Sequence, residues 1–297
     1  MIRKIKNIQN GMRNRGEKKM KVISVCNHKG GCAKTTTVVN IAAELINSGY
    51  KVLMIDNDYQ ANLTTSVGFK TDKESLVNCL RGKKSLRKTI KQCAILDGLD
   101  IIPNNSEVGN ADLSLIKIKN CKRILSKMIE DESLKDDYDF ILIDCPPSQS
   151  ITTINALVAS DSVIIPMEPS LFNMQGLKNL SKTIKLIQKT FNKKLKVEGI
   201  LLTRVDSRTK LSESFRKEIK EVYPYKVFDT EIHQSSIIVK SQTNGLPVSL
   251  YDPKCKSTKE YRSVTDELLN NRTNKSISSV SSIRSKSIIN SEVAKVG

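Results

Sequence analysis

The chain has 297 residues, with 49 Lys+Arg against 31 Asp+Glu and a formal net charge of +18. It has no run of about 18 apolar residues, and no apolar stretch or small-residue cleavage site follows its basic start, so neither a membrane-spanning helix nor a secretory signal is expected. Seven cysteines without a CxxC pair speak against a disulfide framework or a zinc ribbon, and a reducing cytosol is the expected compartment. The charge is uneven. Residues 1–21 carry +7 and residues 270–297 carry +4, leaving +7 on the much longer middle. The last stretch also holds eight serines and no aromatic residue, a composition unable to bury enough apolar surface to order itself. Three parts are therefore expected: a basic extension over 1–20, a folded domain over 21–269, and a Ser/Lys-rich disordered tail over 270–297. An excess of basic charge points to an acidic partner, foremost nucleic acid.

From residue 22 the pattern alternates strand and helix. VISVC (22–26) reads as a buried parallel strand. Residues 34–48 read as a helix with Val38, Ile41, Ala42, Leu45 and Ile46 on one face and Gly49 as its stop. Strands follow at 52–56, 99–103, 140–144, 162–166 and 199–203. Helical spacing lies between them, first through Leu113, Ile116, Cys121, Leu125 and Met128, then through Leu177, Leu180, Ile184 and Ile187. This alternation predicts an α/β fold: one doubly wound, mostly parallel sheet flanked by helices.

The first strand runs into Asn27-His28-Lys29-Gly30-Gly31-Cys32-Ala33-Lys34-Thr35-Thr36-Thr37. Strand, glycine-bearing loop, Lys-Thr and helix are what phosphate binding needs. Glycines let backbone N–H groups approach closely, and a helix N-terminus adds unpaired N–H groups and a positive dipole end. Lys34 supplies charge to the β/γ-phosphates and Thr35 a hydroxyl to Mg²⁺. The general pattern G-x-x-x-x-G-K-[ST] fails, because His28 and Ala33 stand at its two glycine positions. Alanine is expected to fit there only at negative φ. Two later strands end in carboxylates, at Asp56-Asn57-Asp58 and at Asp144, where ligands of open α/β sheets bind. Asp144, beside the loop, can hold Mg²⁺, usually through water.

Lys29-Gly30-Gly31-x-x-Lys34-Thr35-Thr36 resembles the deviant Walker A loop of the ParA/MinD-type ATPases. Asp56-x-Asp58-x-Gln60-x-Asn62 resembles their D-x-D-x-Q-x-N segment, and Ile141-Leu142-Ile143-Asp144 their Walker B strand. Similarity continues through Pro166–Ser170, Gly199–Arg208 and Val248–Lys254, so it covers roughly residues 21–269 and lies nearer ParA/Soj than MinD. It implies a cytoplasmic, nucleoid-associated, Mg²⁺-dependent ATPase. ATP would join two subunits, with Lys29 reaching the partner's nucleotide. The dimer would bind DNA without sequence preference, and a ParB-like protein would stimulate hydrolysis during plasmid or chromosome partition.

By the same resemblance Lys29, Lys34 and Asp58 are the catalytic candidates, Asp58 positioning the attacking water. Lys29, Gly30, Gly31, Cys32, Ala33, Lys34, Thr35 and Thr36 would bind nucleotide, with Thr203 and Arg204 near the adenine. Thr35, Asp56 and Asp144 would serve Mg²⁺. The family's Ile-Pro-Arg-Asn turn is replaced by Ile232-His233-Gln234-Ser235, and only His233 is retained as a candidate there. Basic residues recur at helical spacing as Lys178, Lys182, Lys185 and Lys189, and again near Arg216. Such stripes are commonly solvated faces; as DNA contacts, Arg216, Lys217, Lys220 and Lys240 are the candidates. Two alternatives stay open: a nucleotide-gated DNA-binding module with little turnover, and a MinD-like membrane-associated positioning ATPase. The tail lacks the Leu, Phe and Trp of a membrane-binding helix, so no stable membrane association is expected.

Overall fold

The computed structural model describes residues 19–70, 74–106, 112–170, 173–209 and 211–271. Both expected tails lie outside them, apart from their inner edges. Seven strands form one sheet: β1 (Lys21–Val25), β2 (Val52–Asp56), β3 (Lys91–Gln92), β4 (Leu99–Ile102), β5 (Phe140–Asp144), β6 (Ser162–Met167) and β7 (Lys196–Leu202). Their order is β3-β4-β2-β5-β1-β6-β7. All neighbours run parallel except β3, a two-residue antiparallel edge too short to show in a hydrophobic pattern. Registering Val25 opposite Asp144, and Asp144 opposite Asp56, brings the ends of β1, β5 and β2 to one edge.

The core divides as strand geometry requires, since alternate side chains point to opposite faces. Val22, Cys26, Ile141, Ile143 and Cys145 join one apolar cluster, while Ile23, Val25, Phe140 and Leu142 join the other. Helices α1 (Lys34–Asn47) and α8 (256–271) cover the second face. Helix α3 (Ile124–Asp131), α4 (Ile151–Ala159) and α5 (Asn173–Thr190) contribute to the first, and α2 (Asn62–Ser66) packs beside β2. Two more helices, α6 (Leu211–Val222) and α7 (Ser236–Thr243), follow β7.

Most expected elements occur within one or two residues of their places. Gly49 adopts φ +84° directly after α1, where its N–H donates to Ile46 O at 2.8 Å. In α5, Leu177, Leu180, Ile184 and Ile187 are buried and the four lysines of the stripe are exposed. The spacing from Leu113 to Met128 misleads. It holds a short helix (Asp112–Leu115), a 3-10 turn (Cys121–Arg123) and α3, interrupted by Asn120 at φ +59°. Leu113 and Ile116 are 72% and 63% exposed. The start of α3 is set from outside: Asn155 on α4 accepts from the Leu125 N–H and donates to Cys121 O. Among the described residues no helix is long and apolar enough to cross a membrane.

Candidate nucleotide site

The loop between β1 and α1 is tied down by its own chain. Asn27 Nδ2 donates to Pro166 O at 2.7 Å and its Oδ1 accepts from the Lys29 N–H at 3.1 Å. Lys34 Nζ donates to Lys29 O at 3.0 Å, folding the lysine back under the loop. Cys32 is buried; its thiol donates to the same carbonyl, and burial pushes its pKa up, so it acts as a packed loop residue. Gly31 stands at φ +73° and Ala33 at φ +65°. This corrects the expectation of negative φ at Ala33. The loop keeps a glycine conformation with an alanine in it, at the residue whose carbonyl accepts the Thr37 N–H that opens α1. A Cβ built on Gly30 would meet nothing within 4 Å, so packing does not demand that glycine, while Gly31 is demanded by its left-handed backbone.

Beside the loop lies a cavity of about 830 Å³. Gly30, Gly31, Ala33, Lys34, Thr35, Thr36 and Asp58 line it, together with Arg204, Ile232, His233, Ile238, Val239, Gln242 and Tyr261. Thr35 Oγ1 donates to Asp144 Oδ2 at 2.6 Å. The other oxygen, Asp144 Oδ1, is buried and unpartnered. Burial first, and the Asp56 carboxyl second, push the Asp144 pKa well above the usual carboxylate range. An orphaned carboxylate oxygen next to a threonine hydroxyl fits a hard dication. Among the described residues no group of three or more His, Cys, Asp or Glu could hold a metal. That suits Mg²⁺, which takes one or two protein ligands and completes its shell with phosphate oxygens and water.

Asp58 lines the cavity, its Oδ1 accepting the Gln60 N–H at 3.0 Å, and burial raises its pKa. Asp56 lies behind it, opposite Asp144 in the β2–β5 register. It is fully buried, its Oδ2 accepting from Thr64 N and Oγ1 at 2.8 and 2.6 Å and its Oδ1 from the Asp58 N–H at 3.2 Å. With both oxygens engaged it braces the Asp58 turn, and its charge acts on Asp144. Burial, partly offset by the Thr64 hydrogen bonds, pushes its pKa up to about 7.

Thr203 is also behind the wall: fully buried, it donates to Cys32 O at 3.2 Å and steadies the loop. Lys29 and Arg204 sit at the rim, 41% and 50% exposed in their side chains, and share one carboxylate. Lys29 Nζ is 3.8 Å from Glu168 Oε2, and Arg204 Nε is 3.6 Å from Glu168 Oε1. Arg216 does not belong with the other DNA candidates. Its guanidinium donates to Phe228 O at 2.6 Å and pairs with Glu231 at 3.0 Å, which makes it a clamp on the segment after α6. Lys217, Lys220 and Lys240 are exposed.

Of the far wall, sequence reasoning reached only Arg204 and the turn at residues 232–235. Ile232, Gln234, Ser235, Ser236, Ile238, Val239 and Gln242 come from one run, residues 232–242, and Tyr261 from α8. Gln242 Nε2 donates to Thr36 Oγ1 at 2.7 Å, fastening α7 to α1. The available signal was small: Ser235 reads as an N-cap, and in the fold its Oγ accepts the Ile237 N–H.

Comparison with known proteins agrees with this geometry. A family profile described as an AAA domain matches residues 20–197. The sporulation initiation inhibitor protein Soj of Bacillus subtilis is 36% identical over 252 residues, covering 84% of this chain and 99% of that protein. The chromosome partitioning protein ParA of Caulobacter vibrioides is 32% identical over 252 residues, covering 84% and 94%. The structure of the septum site-determining protein MinD of Pyrococcus horikoshii, solved with Mg-ADP, superposes with a TM-score of 0.70 at 25% identity, covering 84% of this chain and 96% of that one. Similarity of this extent leads to one assignment: the chain belongs to the ParA/MinD-type P-loop ATPases.

Proposed function

We propose that the chain is a partition ATPase of the ParA kind, which dimerises on ATP, binds DNA without sequence preference and is reset by hydrolysis under a ParB-like partner. The observation that carries the reading is the pairing of Thr35 with Asp144 at 2.6 Å beside a loop that opens with Lys29-Gly30-Gly31. Bound Mg²⁺ would neutralise the charge on the β/γ-phosphate oxygens. The backbone N–H groups of Gly30 to Thr36 bind and orient the phosphates, Lys34 places its ammonium beneath them, and Thr35 and Asp144 hold the metal. Asp58 orients the attacking water. Apart from the Gln60 bond at Oδ1, it makes no side-chain hydrogen bond among the described residues, which leaves Oδ2 for that task. Such positioning accounts for most of what phosphoryl transfer requires of a protein.

Lys29 at the rim, half-exposed and only loosely held by Glu168, has the freedom to reach a second subunit. ATP then acts as a ligand that selects the dimer. The exposed Lys217, Lys220 and Lys240 provide phosphate contacts whose strength falls steeply with salt.

The test is ATP-dependent DNA binding across a salt series with ADP as control. Wild type is expected to bind with ATP and release on hydrolysis, Asp58→Ala to stay bound, and Lys29→Ala to fail to dimerise. If wild type and Asp58→Ala release DNA alike, the cycling reading fails. If the combined Lys217→Glu, Lys220→Glu and Lys240→Glu variant binds as wild type does at equal salt, the surface assignment fails.

A further inference from the structure

Two runs of the chain hold no carboxylate. Residues 113–129 carry five Lys/Arg and residues 173–197 carry seven, with no Asp or Glu in either. The rest of residues 22–269 carries 24 basic and 29 acidic side chains, so these two runs hold all of that stretch's positive excess. The fold joins them into one face. Arg123 donates to Phe191 O at 3.1 Å, and Lys122 Nζ and Arg123 Cζ lie 5.3 and 5.5 Å from the centre of the Phe191 ring. Helix α4, mostly buried, packs against both runs, and Asn192 ties the end of α5 to it by donating to Val158 O at 3.1 Å. All twelve cations are exposed except Lys122, which is partly so. Among the described residues none of them forms an ion pair, whereas Arg87, Arg208 and Arg262 elsewhere on the surface do. Most flanking acids are already engaged: Asp112 accepts from the Thr152 N–H and Glu198 pairs with Lys21, leaving Glu130 and Asp131 exposed at the far end of α3.

Like charges gathered on one face without counter-charges repel one another, and a polyanion relieves them. Lys178, Lys182, Lys185 and Lys189 span about 16 Å along α5, a length over which a DNA duplex presents about ten phosphate charges. Other partners fit less well. Leu186 is the one large apolar side chain exposed among the described residues of α5, too little for insertion into a membrane surface. The Phe191 ring already carries Lys122 and Arg123, so it is no platform for unpaired bases. Protein interfaces are depleted in lysine, and eleven of these twelve cations are lysines. We infer that the face made by α3, α5 and their flanking turns is a second DNA-binding surface, which contacts the phosphate backbone of a duplex, is complete within one subunit and is open in every nucleotide state. This goes beyond the reading above, in which ATP-bound dimers use Lys217, Lys220 and Lys240. None of the twelve cations lines the nucleotide cavity, so nothing in this face waits for ATP.

Binding of a mixed-sequence DNA duplex to the full chain without nucleotide tests this, read by fluorescence anisotropy across a salt series. One variant combines Lys182→Gln, Lys185→Gln, Lys189→Gln, Lys193→Gln and Lys194→Gln, which removes five charges and keeps side-chain length. Both basic ends of the chain are present in every protein compared, so a difference belongs to the face. Wild type should bind. The combined variant should bind more than tenfold more weakly at about 50 mM salt, with a slope of log affinity against log salt smaller by about four. Lys217→Glu, Lys220→Glu and Lys240→Glu together should stay within about threefold of wild type in the absence of nucleotide. The slope is the decisive readout, because a loss of folded protein lowers binding at every salt and leaves the slope unmoved. The inference is overturned if wild type binds no duplex without nucleotide, or if the Gln variant keeps the wild-type affinity and slope. It is overturned as well if that variant loses only the ATP-dependent part of binding, a result that leaves the partition reading standing. Loss of binding to phosphatidylserine vesicles with duplex binding intact would make the face a membrane surface and end the inference.

Discussion

Two walls of the cavity are made by opposite means. The loop wall is one continuous run, residues 30–36, set between the central strand and the helix it feeds, with carboxylates arriving from two neighbouring strands. The other wall is assembled from the segment after β7, from α7 and from α8, more than 190 residues along the chain. A binding element that uses backbone N–H groups needs a particular local conformation, and local conformation leaves a local pattern. A wall that only has to be apolar and correctly shaped can be drawn from anywhere and leaves none.

The comparison is broken most strongly by removing charge from the loop wall. Lys34→Ala is expected to cut ATP hydrolysis by about 100- to 1000-fold, as loss of one preorganised electrostatic contact does, with phosphate release as the measurement. A variant that retains a tenth of wild-type turnover would remove Lys34 from the machinery. Asp58→Ala comes next: turnover should fall by about 100-fold while ADP affinity stays within about twofold, separating water positioning from binding. Parallel losses in both would make Asp58 a binding residue.

The brace behind the site gives a pH signature. The folded Asp56 pKa of about 7 lies above its ordinary 3.8, so the folded chain holds a proton that the unfolded chain has released. Stability from this group is therefore present below about pH 4 and is lost as pH rises toward 7, flattening beyond. Urea unfolding of the nucleotide-free chain should show wild type losing about 2–4 kcal/mol relative to Asp56→Asn across that window. A pH-independent difference between the two would show that Asp56 is ionised throughout. The smallest effect belongs to the loop. Ala33→Gly relieves a left-handed backbone and should raise stability by about 0.5–1 kcal/mol in the same experiment, the relief exceeding the added chain entropy. A destabilised variant would mean that the methyl group packs usefully against the loop.

How much could be read ahead of the fold follows the same division. The strands at β1, β2, β5 and β6 were legible because a strand buried on both faces must be apolar along its whole length. The edge strand β3 was not, since two residues carry no period. Spacing alone failed from Leu113 to Met128, where Asn120 takes a left-handed turn and Asn155, from another helix, sets where α3 begins. Site residues divided likewise. Lys34, Thr35 and Asp58 line the cavity as expected. Asp56 and Thr203 came from the resemblance and Arg216 from a basic stripe, and each is engaged by hydrogen bonds that only the folded chain creates.

The sequence by itself determined the α/β class, the loop and its lysines, and the carboxylates that end β2 and β5, because each is dictated by short-range geometry or by burial on both sides of a sheet. Tertiary structure decided the rest. It made Asp56 a brace, left one oxygen of Asp144 without a partner, and set Glu260 against His233 from a helix that begins more than 20 residues later. Those outcomes depend on which polar groups are satisfied after packing, and satisfaction is a property of neighbours in space, which residue order does not list.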